Sequence, residues 1–169
     1  MQHRSARRVL LGLFLTLFCV RLAAGPTGPV EELAQHYLAL HETIRDPAQG
    51  LDERAFLTED FSRRMQDVVL SSHGREFYLR LITPIRSISH QWLKRPDQHT
   101  ACLTLEGLGE EGKQTLASYR FVREAKGGRW LIDLVAVWLS DRGMPSPDHA
   151  MCPEEFRAWS ARVEAQTGS

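Results

Sequence analysis

The sequence predicts an α+β fold in which amphipathic helices pack on a curved antiparallel sheet and one more helix follows. From Val30 to Ile44, apolar residues recur every three or four positions, as they do on one face of a helix. Beyond Pro84 the apolar period changes to two, which is typical of strands. From residue 148 to residue 165 a helical period returns. Because no helical pattern separates the strands, we expect an antiparallel meander rather than a parallel sheet.

The N-terminal part contains signals for three helical segments. The first is expected to begin at Pro29 and to end at Asp46-Pro47, because proline suits a first turn but cannot continue a helix. A short helical turn is expected over residues 52–57. Thr58 can cap the next helix and Gly74 marks its expected end. The buried stripe of that helix is predicted to consist of Phe61, Met65, Val68 and Val69.

Four strands are expected between Pro84 and Leu139. The alternating residues of the first three are Ile88, His90 and Trp92, then Ala101, Leu103 and Leu105, then Ala117, Tyr119 and Phe121. Gly127-Gly128 is a two-residue hairpin signal before the fourth strand, residues 129–139. That strand is apolar on both faces apart from Asp133, so we expect it at the centre of the sheet.

The first 24 residues have the order of a secretory signal peptide. Three arginines precede an uncharged apolar run at residues 9–20, and the small residues Ala23-Ala24 follow. This apolar run is too short to span a bilayer, which takes about 20 residues in a helix. Arg21 interrupts the cleavage region, which leaves both cleavage after Ala24 and retention as an N-terminal anchor open. The signal-peptide order predicts a periplasmic or secreted protein, and the excess of arginine over lysine together with the lack of asparagine favours a bacterial origin.

The domain organisation follows from this N-terminal segment. Residues 1–24 are expected to be the signal peptide, 25–29 a linker, 30–143 one α+β domain, and 144–169 a C-terminal extension with a helix. The whole chain has equal numbers of basic and acidic residues, and loss of the four arginines in the signal peptide leaves a charge of −4. This acidic balance argues against nucleic acid and against an anionic membrane surface as partners.

Two cysteines, Cys102 and Cys152, remain after cleavage. In an oxidising compartment, a disulfide is the ordinary state of two cysteines in one small domain. The bond would tie a strand to the C-terminal extension across a loop of about 50 residues. Two unpaired, buried thiols are the alternative.

The order of elements, with the segment Gly-Gly-Arg-Trp-Leu-Ile-Asp-Leu at residues 127–134, resembles the nuclear transport factor 2-like superfamily. The resemblance covers roughly residues 30–139. Its sharpest point is residues 130–134, which look like the final strand of several secreted bacterial families of unknown function. The resemblance implies a cone-shaped fold. The superfamily contains enzymes such as ketosteroid isomerase-like proteins and also members that only bind ligands or other proteins. Residues 144–169 depart from the pattern, and this extension could cover the open end of the cone.

Asp133 is the candidate catalytic residue. A carboxylate between apolar neighbours on a strand could act as a general base, with Tyr119 or His90 donating a hydrogen bond to a developing oxyanion. The structural interpretation, which we favour, is an ion pair with a strand arginine such as Arg120. His36 and His41 lie five residues apart and do not form a metal-binding pair, and we expect surface or core-edge histidines and no metal.

The remaining motifs favour structural roles. The segment at residues 107–112 matches G-x-G-x-x-G, but a strand rather than a helix follows it, which indicates a hairpin loop. The sheet also has many aromatic residues, most of which we expect in the core. Candidate residues for binding a ligand or a partner are Trp92, Tyr119, Phe121 and Trp138.

We expect a small non-enzymatic binding or accessory protein, which holds a protein partner or an apolar ligand on a concave sheet or on the edge left by the terminal helix. An immunity-type role and a homodimer are both compatible with the sequence. The alternatives are a small isomerase- or dehydratase-like enzyme that uses Asp133 with Tyr119 or His90, and a structural envelope component tethered by the N-terminal segment. We expect no cofactor.

Overall fold

The computed structural model describes residues 28–46, 50–68, 72–124, 128–139 and 145–167. The predicted signal peptide, most of the linker, Val69 and Gly127 lie outside these ranges. Within them the fold is α+β, with four α-helices and one four-stranded antiparallel sheet. In chain order the elements are α1 (Pro29–Arg45), a 3-10 turn (Glu53–Ala55), α2 (Glu59–Val68), α3 (Ser72–Ile82), β1 (Ser87–Lys94), β2 (Thr100–Leu108), β3 (Gln114–Arg123), β4 (Trp130–Leu139) and α4 (Pro153–Thr167).

The local signals place the first helices correctly. Helix α1 begins at the proline and ends one residue before Asp46, as expected. Thr58 caps α2, because its hydroxyl accepts a hydrogen bond of 3.1 Å from the backbone N–H of Phe61. These features depend on residues close together in the sequence, which is why the sequence alone predicts them.

The expected helix end at Gly74 is wrong. Helix α2 ends at Val68 and a separate helix, α3, begins at Ser72, so Gly74 lies inside α3. A glycine inside a helix costs about 1 kcal/mol relative to alanine. Leu79 and Ile82 of the same helix are buried in the main core, and burial of each side chain is worth about 2 kcal/mol. Tertiary burial therefore outweighs the local stop signal.

The sheet has the order β1-β2-β3-β4, so β4 is an edge strand and its expected central position is wrong. Helices cover both faces of β4. Ile132 packs with residues of α1, α2 and α3, whereas Trp138 packs with α4. Part of the outer edge is also paired, since Ile132 accepts a hydrogen bond from the N–H of Thr58 and donates one to the carbonyl of Phe56. The apolar residues on both faces of β4 therefore reflect packing against helices and do not indicate a central position in the sheet.

The C-terminal extension lies on the second face of the sheet and is fixed there by several bonds. The predicted disulfide between Cys102 and Cys152 is confirmed, with Cα atoms 5.0 Å apart. Next to it, the hydroxyls of Thr104 and Ser118 donate hydrogen bonds of 3.1 and 2.6 Å to the carbonyl of Met151. Helix α4 therefore covers a second, smaller core. Its buried members are Leu116, Ala136, Trp138, Met151 and Phe156.

In the described part of the chain, no helix is long and apolar enough to cross a membrane.

Candidate functional site

Asp133 lies in a β-bulge on β4. Arg120 is opposite Leu134 and Phe121 is opposite Ile132, so Asp133 has no directly opposed residue on β3. Its side chain is 19% exposed. Bulges often redirect a side chain near a functional site, and the contacts of this carboxylate therefore decide what it can do.

The carboxylate of Asp133 is held by an ion pair. One oxygen accepts hydrogen bonds of 3.0 and 2.7 Å from Nε and Nη2 of Arg120. The other accepts a hydrogen bond of 3.2 Å from the hydroxyl of Thr58. Arg120 also donates to Glu154 of α4 at 2.6 Å. The Asp133–Arg120 ion pair and its neighbours thus link the start of α2, β3, β4 and α4. An ion pair with a strand arginine is what the structural interpretation of Asp133 predicts.

Tyr119 does not reach Asp133. It is completely buried in the main core, where its hydroxyl donates a hydrogen bond of 2.9 Å to the carbonyl of Ile82 and its ring lies 5.0 Å from that of Tyr37. Burial holds the pKa of Tyr119 well above its ordinary value. Successive side chains of a strand point to opposite faces, so Tyr119 and the Arg120 that holds Asp133 are on different sides of β3.

His90 has a third, separate environment. Its side chain is 63% exposed, Nδ1 lies 3.5 Å from Oε2 of Glu106, and its ring stacks on that of Trp92 with 5.8 Å between centroids. The three candidate catalytic residues therefore have different partners. The arrangement that the enzyme hypothesis requires, Asp133 in an open cavity with Tyr119 or His90, is not present among the described residues.

Three of the four aromatic binding candidates are buried. Tyr119 and Phe121 have no exposed surface, and Trp138 is 9% exposed. Trp138 makes an edge contact with Trp159 of α4, with 5.5 Å between ring centroids. Only Trp92 is partly accessible. Tyr119 and Phe121 lie in the main core and Trp138 in the second core, so at these positions both faces of the sheet are covered by the protein's own side chains.

An apolar groove that we did not expect from the sequence lies at one end of the molecule. Phe77, Leu81 and Leu139 line it and are 69%, 40% and 55% exposed. Together with Leu108, which lies outside the groove, they are the large hydrophobic residues that the described part of the chain exposes. The groove has a volume of about 530 Å³ and includes Pro84. We call this feature the apolar groove.

A signal for the apolar groove exists in the sequence of α3. Phe77 and Leu81 are four residues apart and so lie on one face of the helix. Leu79 and Ile82, on another face, fill the main core. A helix of 11 residues with two apolar faces has more apolar surface than packing on one core requires.

The glycine-rich segment forms one wall of the apolar groove. As predicted, it is the hairpin loop between β2 and β3, closed by a hydrogen bond of 2.9 Å from the N–H of Gly109 to the carbonyl of Lys113. Gly112 has a φ of 70°, which favours glycine. Arg45 fastens this loop to the body, because its Nε donates to Glu110 at 2.8 Å while Nη2 donates to the carbonyl of Thr83 at 3.2 Å.

A second cavity, of about 800 Å³, is polar. Its charged lining consists of four acidic residues, Asp52, Glu53, Glu59 and Glu124, and four arginines, Arg54, Arg63, Arg75 and Arg129. Arg75 donates to Glu53, and this contact raises the pKa of the Arg75 guanidinium. The acidic and basic residues that line this cavity are equal in number, so its lining has no net charge.

Among the described residues, no group of three or more His, Cys, Asp or Glu side chains is arranged to hold a metal ion. No protein-family model, curated protein or solved structure matches the chain. The candidate site is therefore defined by its geometry, and the apolar groove is the feature with the clearest functional potential.

Proposed function

We propose that this protein is a non-enzymatic binding or accessory protein that docks a partner protein in the apolar groove. The observation that carries the proposal is the clustering of Phe77, Leu81 and Leu139, all partly or largely exposed, in one groove. Removing apolar surface from water contributes about 25 cal/mol per Å². Exposed apolar clusters bordered by polar residues are typical of docking sites.

The shape of the apolar groove favours a protein over a small ligand. Sites for small molecules enclose most of the ligand, about 70–90% of its surface. Phe77, in contrast, is 69% exposed and sits on the outer face of α3. A protruding aromatic residue with aliphatic neighbours is typical of the centre of a protein interface. The Phe77–Leu81 pair forms a ridge of the kind that packs against another helix.

The charged rim of the apolar groove is satisfied within the protein. Arg80 pairs with Glu76 at 3.0 Å, and Lys113 pairs with Glu111 at 2.8 Å. Arg45 is likewise bonded to the hairpin loop. Exposed pairs of this kind contribute about 0–1 kcal/mol each, so contact with the apolar residues would supply most of the affinity.

The secreted location and the cone-shaped form of the fold remain hypotheses. A disulfide that joins Cys102 to Cys152 is compatible with an oxidising compartment such as a periplasm. A cone-shaped sheet of the nuclear transport factor 2-like kind is compatible with an antiparallel meander covered by helices. An immunity-type role, in which the partner is a secreted toxin, fits the same docking surface. The alternative of a retained N-terminal tether concerns residues 1–24, outside the described ranges.

Site-specific photocross-linking in the native envelope tests the docking proposal. A photoreactive phenylalanine at position 81 is expected to form a protein adduct of defined mass, and Phe77→Glu in the same chain is expected to abolish it. Position 108 is the matched control, because Leu108 is 50% exposed but lies outside the apolar groove. Equal adducts at both positions, or none at position 81, would contradict the proposal. Near-ultraviolet circular dichroism checks that each variant remains folded.

A further inference from the structure

Arg45 joins three elements that meet at the apolar groove. It is the last residue of α1, and its Nε donates a hydrogen bond of 2.8 Å to the carboxylate of Glu110 in the hairpin loop. Its Nη1 and Nη2 donate to the hydroxyl and the carbonyl of Thr83, the residue after α3, at 3.3 and 3.2 Å. Thr83 is completely buried, so Arg45 fastens an exposed loop to the interior of the protein. We call these contacts the Arg45 junction.

His41 lies one helical turn before Arg45 and is buried beside it. Its backbone carbonyl accepts a hydrogen bond of 3.3 Å from Nη1 of Arg45. Its ring packs 6.1 Å from that of Tyr37, whose hydroxyl is bonded to the backbone of Ile85. Within the described residues, the buried Nε2 of His41 has no hydrogen-bond partner. An imidazolium carries an N–H on both ring nitrogens, so protonation would place a buried donor without an acceptor here.

Burial and the charged groups around His41 oppose its protonation. Burial, which has the largest effect, and the neighbouring Arg45 lower the pKa of His41, which is about 4. From other elements, Arg86 ahead of β1 acts in the same direction, whereas Glu110 raises the pKa. The charged side chains of α3 that the structure describes are engaged in ion pairs: Arg75 with Glu53, and Arg80 with Glu76. Above about pH 4, His41 is therefore neutral while the Arg45 junction is closed.

We propose that protonation of His41 breaks the Arg45 junction, so that acid releases the hairpin loop and weakens docking in the apolar groove. A positive charge at His41 would repel the guanidinium of Arg45 and compete with it for the carboxylate of Glu110. Both effects act on the bond that holds the loop. Because release lets water reach the imidazolium, the released arrangement binds the proton more tightly, and falling pH shifts the equilibrium towards it. The effect on docking rests on the proposed function, whereas the release of the loop does not.

Backbone NMR relaxation on the chain without residues 1–24 tests release of the loop and requires no partner. The order parameter of the Glu110 amide is expected to fall from about 0.85 at about pH 6.5 to about 0.6 at about pH 4. His41→Gln, which has no imidazole to protonate, should keep the higher value at both pH values. His36→Gln is the matched control and should behave like the natural chain. His36 is a second histidine of α1 with a buried Nε2 that has no partner among the described residues, but its ring packs on Phe56 and Phe121 rather than on the Arg45 junction.

Three results would overturn release of the loop. They are an order parameter of Glu110 that does not change with pH, an equal fall in His41→Gln, and a matching fall at the core residue Tyr119, which would indicate global unfolding. If His41→Gln misfolds, Arg45→Gln keeps the inference testable, because it should lower the order parameter already at about pH 6.5. A loop that stays ordered in this variant would show that the Arg45 junction does not hold it.

Photocross-linking from position 81 tests the effect on docking separately. The adduct is expected to decrease at least about threefold from about pH 6.5 to about pH 4, and His41→Gln is expected to preserve it. An unchanged adduct with a released loop would overturn the effect on docking and leave the release of the loop in place. No adduct at either pH would contradict the proposed function itself.

Discussion

His41 illustrates how a single residue of α1 departs from its expected setting. We expected a surface or core-edge histidine, and this expectation is wrong, because the side chain is 6% exposed and packs beside the ring of Tyr37. Its Nε2 has no hydrogen-bond partner among the described residues. Burial and the neighbouring Arg45 lower the pKa of His41 to about 4, although Glu110 acts in the opposite direction and Arg86 lowers it further.

This ionisation predicts a loss of stability in acid. The unfolded chain binds a proton at His41 near pH 6.5 and the folded chain near pH 4. The free energy of unfolding should therefore fall as the pH decreases from about 6.5 to about 4, by at most about 1.4 kcal/mol per pH unit from this residue. Urea unfolding at several pH values is expected to give a flatter profile for His41→Gln. Leu38→Gln, on the same helix, should lower stability without changing the slope.

At the scale of elements, a close approach between β1 and β2 depends on one glycine. A Cβ at Gly107 would overlap the backbone carbonyl oxygen of Ser87 and lie 2.6 Å from Cγ2 of Ile85. Both neighbours belong to the entry into β1, and Ile85 is completely buried. A larger residue would therefore have to move the strand itself rather than a flexible side chain.

Gly107→Ala is predicted to lower the free energy of unfolding by about 3 kcal/mol, as overpacking of a rigid site does. Gly112→Ala is the matched control in the next turn, where a Cβ would have no neighbour within 4 Å but φ is 70°. The backbone conformation alone should cost about 1 kcal/mol there. Urea denaturation measures both losses, and equal losses would show that the contact with β1 is not responsible.

Elements differed in how far the sequence predicted them. The start and end of α1, the Thr58 cap and the β2–β3 hairpin depend on neighbouring residues, and all three are confirmed. The break between α2 and α3 and the edge position of β4 depend on which surfaces other elements cover. No window of residues around Gly74 contains that information.

The candidate site was predicted only in part, for the same reason. The Asp133–Arg120 pair is recognisable as a strand carboxylate and a strand arginine. The apolar groove, in contrast, combines α3, the end of β4 and the hairpin loop, which lie far apart in the sequence. Phe77 and Leu81 resemble ordinary core residues until the packing of α3 is known.

At the scale of the whole molecule, the disulfide connects the two layers of the second core. It closes a loop of 50 residues and joins β2 to the segment before α4. Around it, Lys94 binds Glu155 and Arg120 binds Glu154, so α4 is also attached by ion pairs. These surface pairs are weak compared with a covalent bond.

Loss of the disulfide is predicted to lower the free energy of unfolding by about 4 kcal/mol in the chain-entropy model. The variant is Cys102→Ala with Cys152→Ala, and the measurement is urea unfolding with and without a thiol reductant. The reductant should destabilise the natural chain and leave the double variant unchanged. Labelling of the denatured, unreduced chain without residues 1–24 is expected to find no free thiol, and two labelled thiols would contradict the bond.

By itself, the sequence determined the α+β class, the succession of four strands after the N-terminal helices, the ends of α1 and the pair of cysteines able to bond, because these follow from periodicity, capping and chain order. Tertiary structure decided the edge position of β4, the burial of Tyr119 and Phe121, and the exposure of Phe77 and Leu81. The physical reason is that exposure depends on which surfaces meet in space. An apolar residue looks the same in the sequence whether a helix of its own chain buries it or it stays exposed for a partner protein.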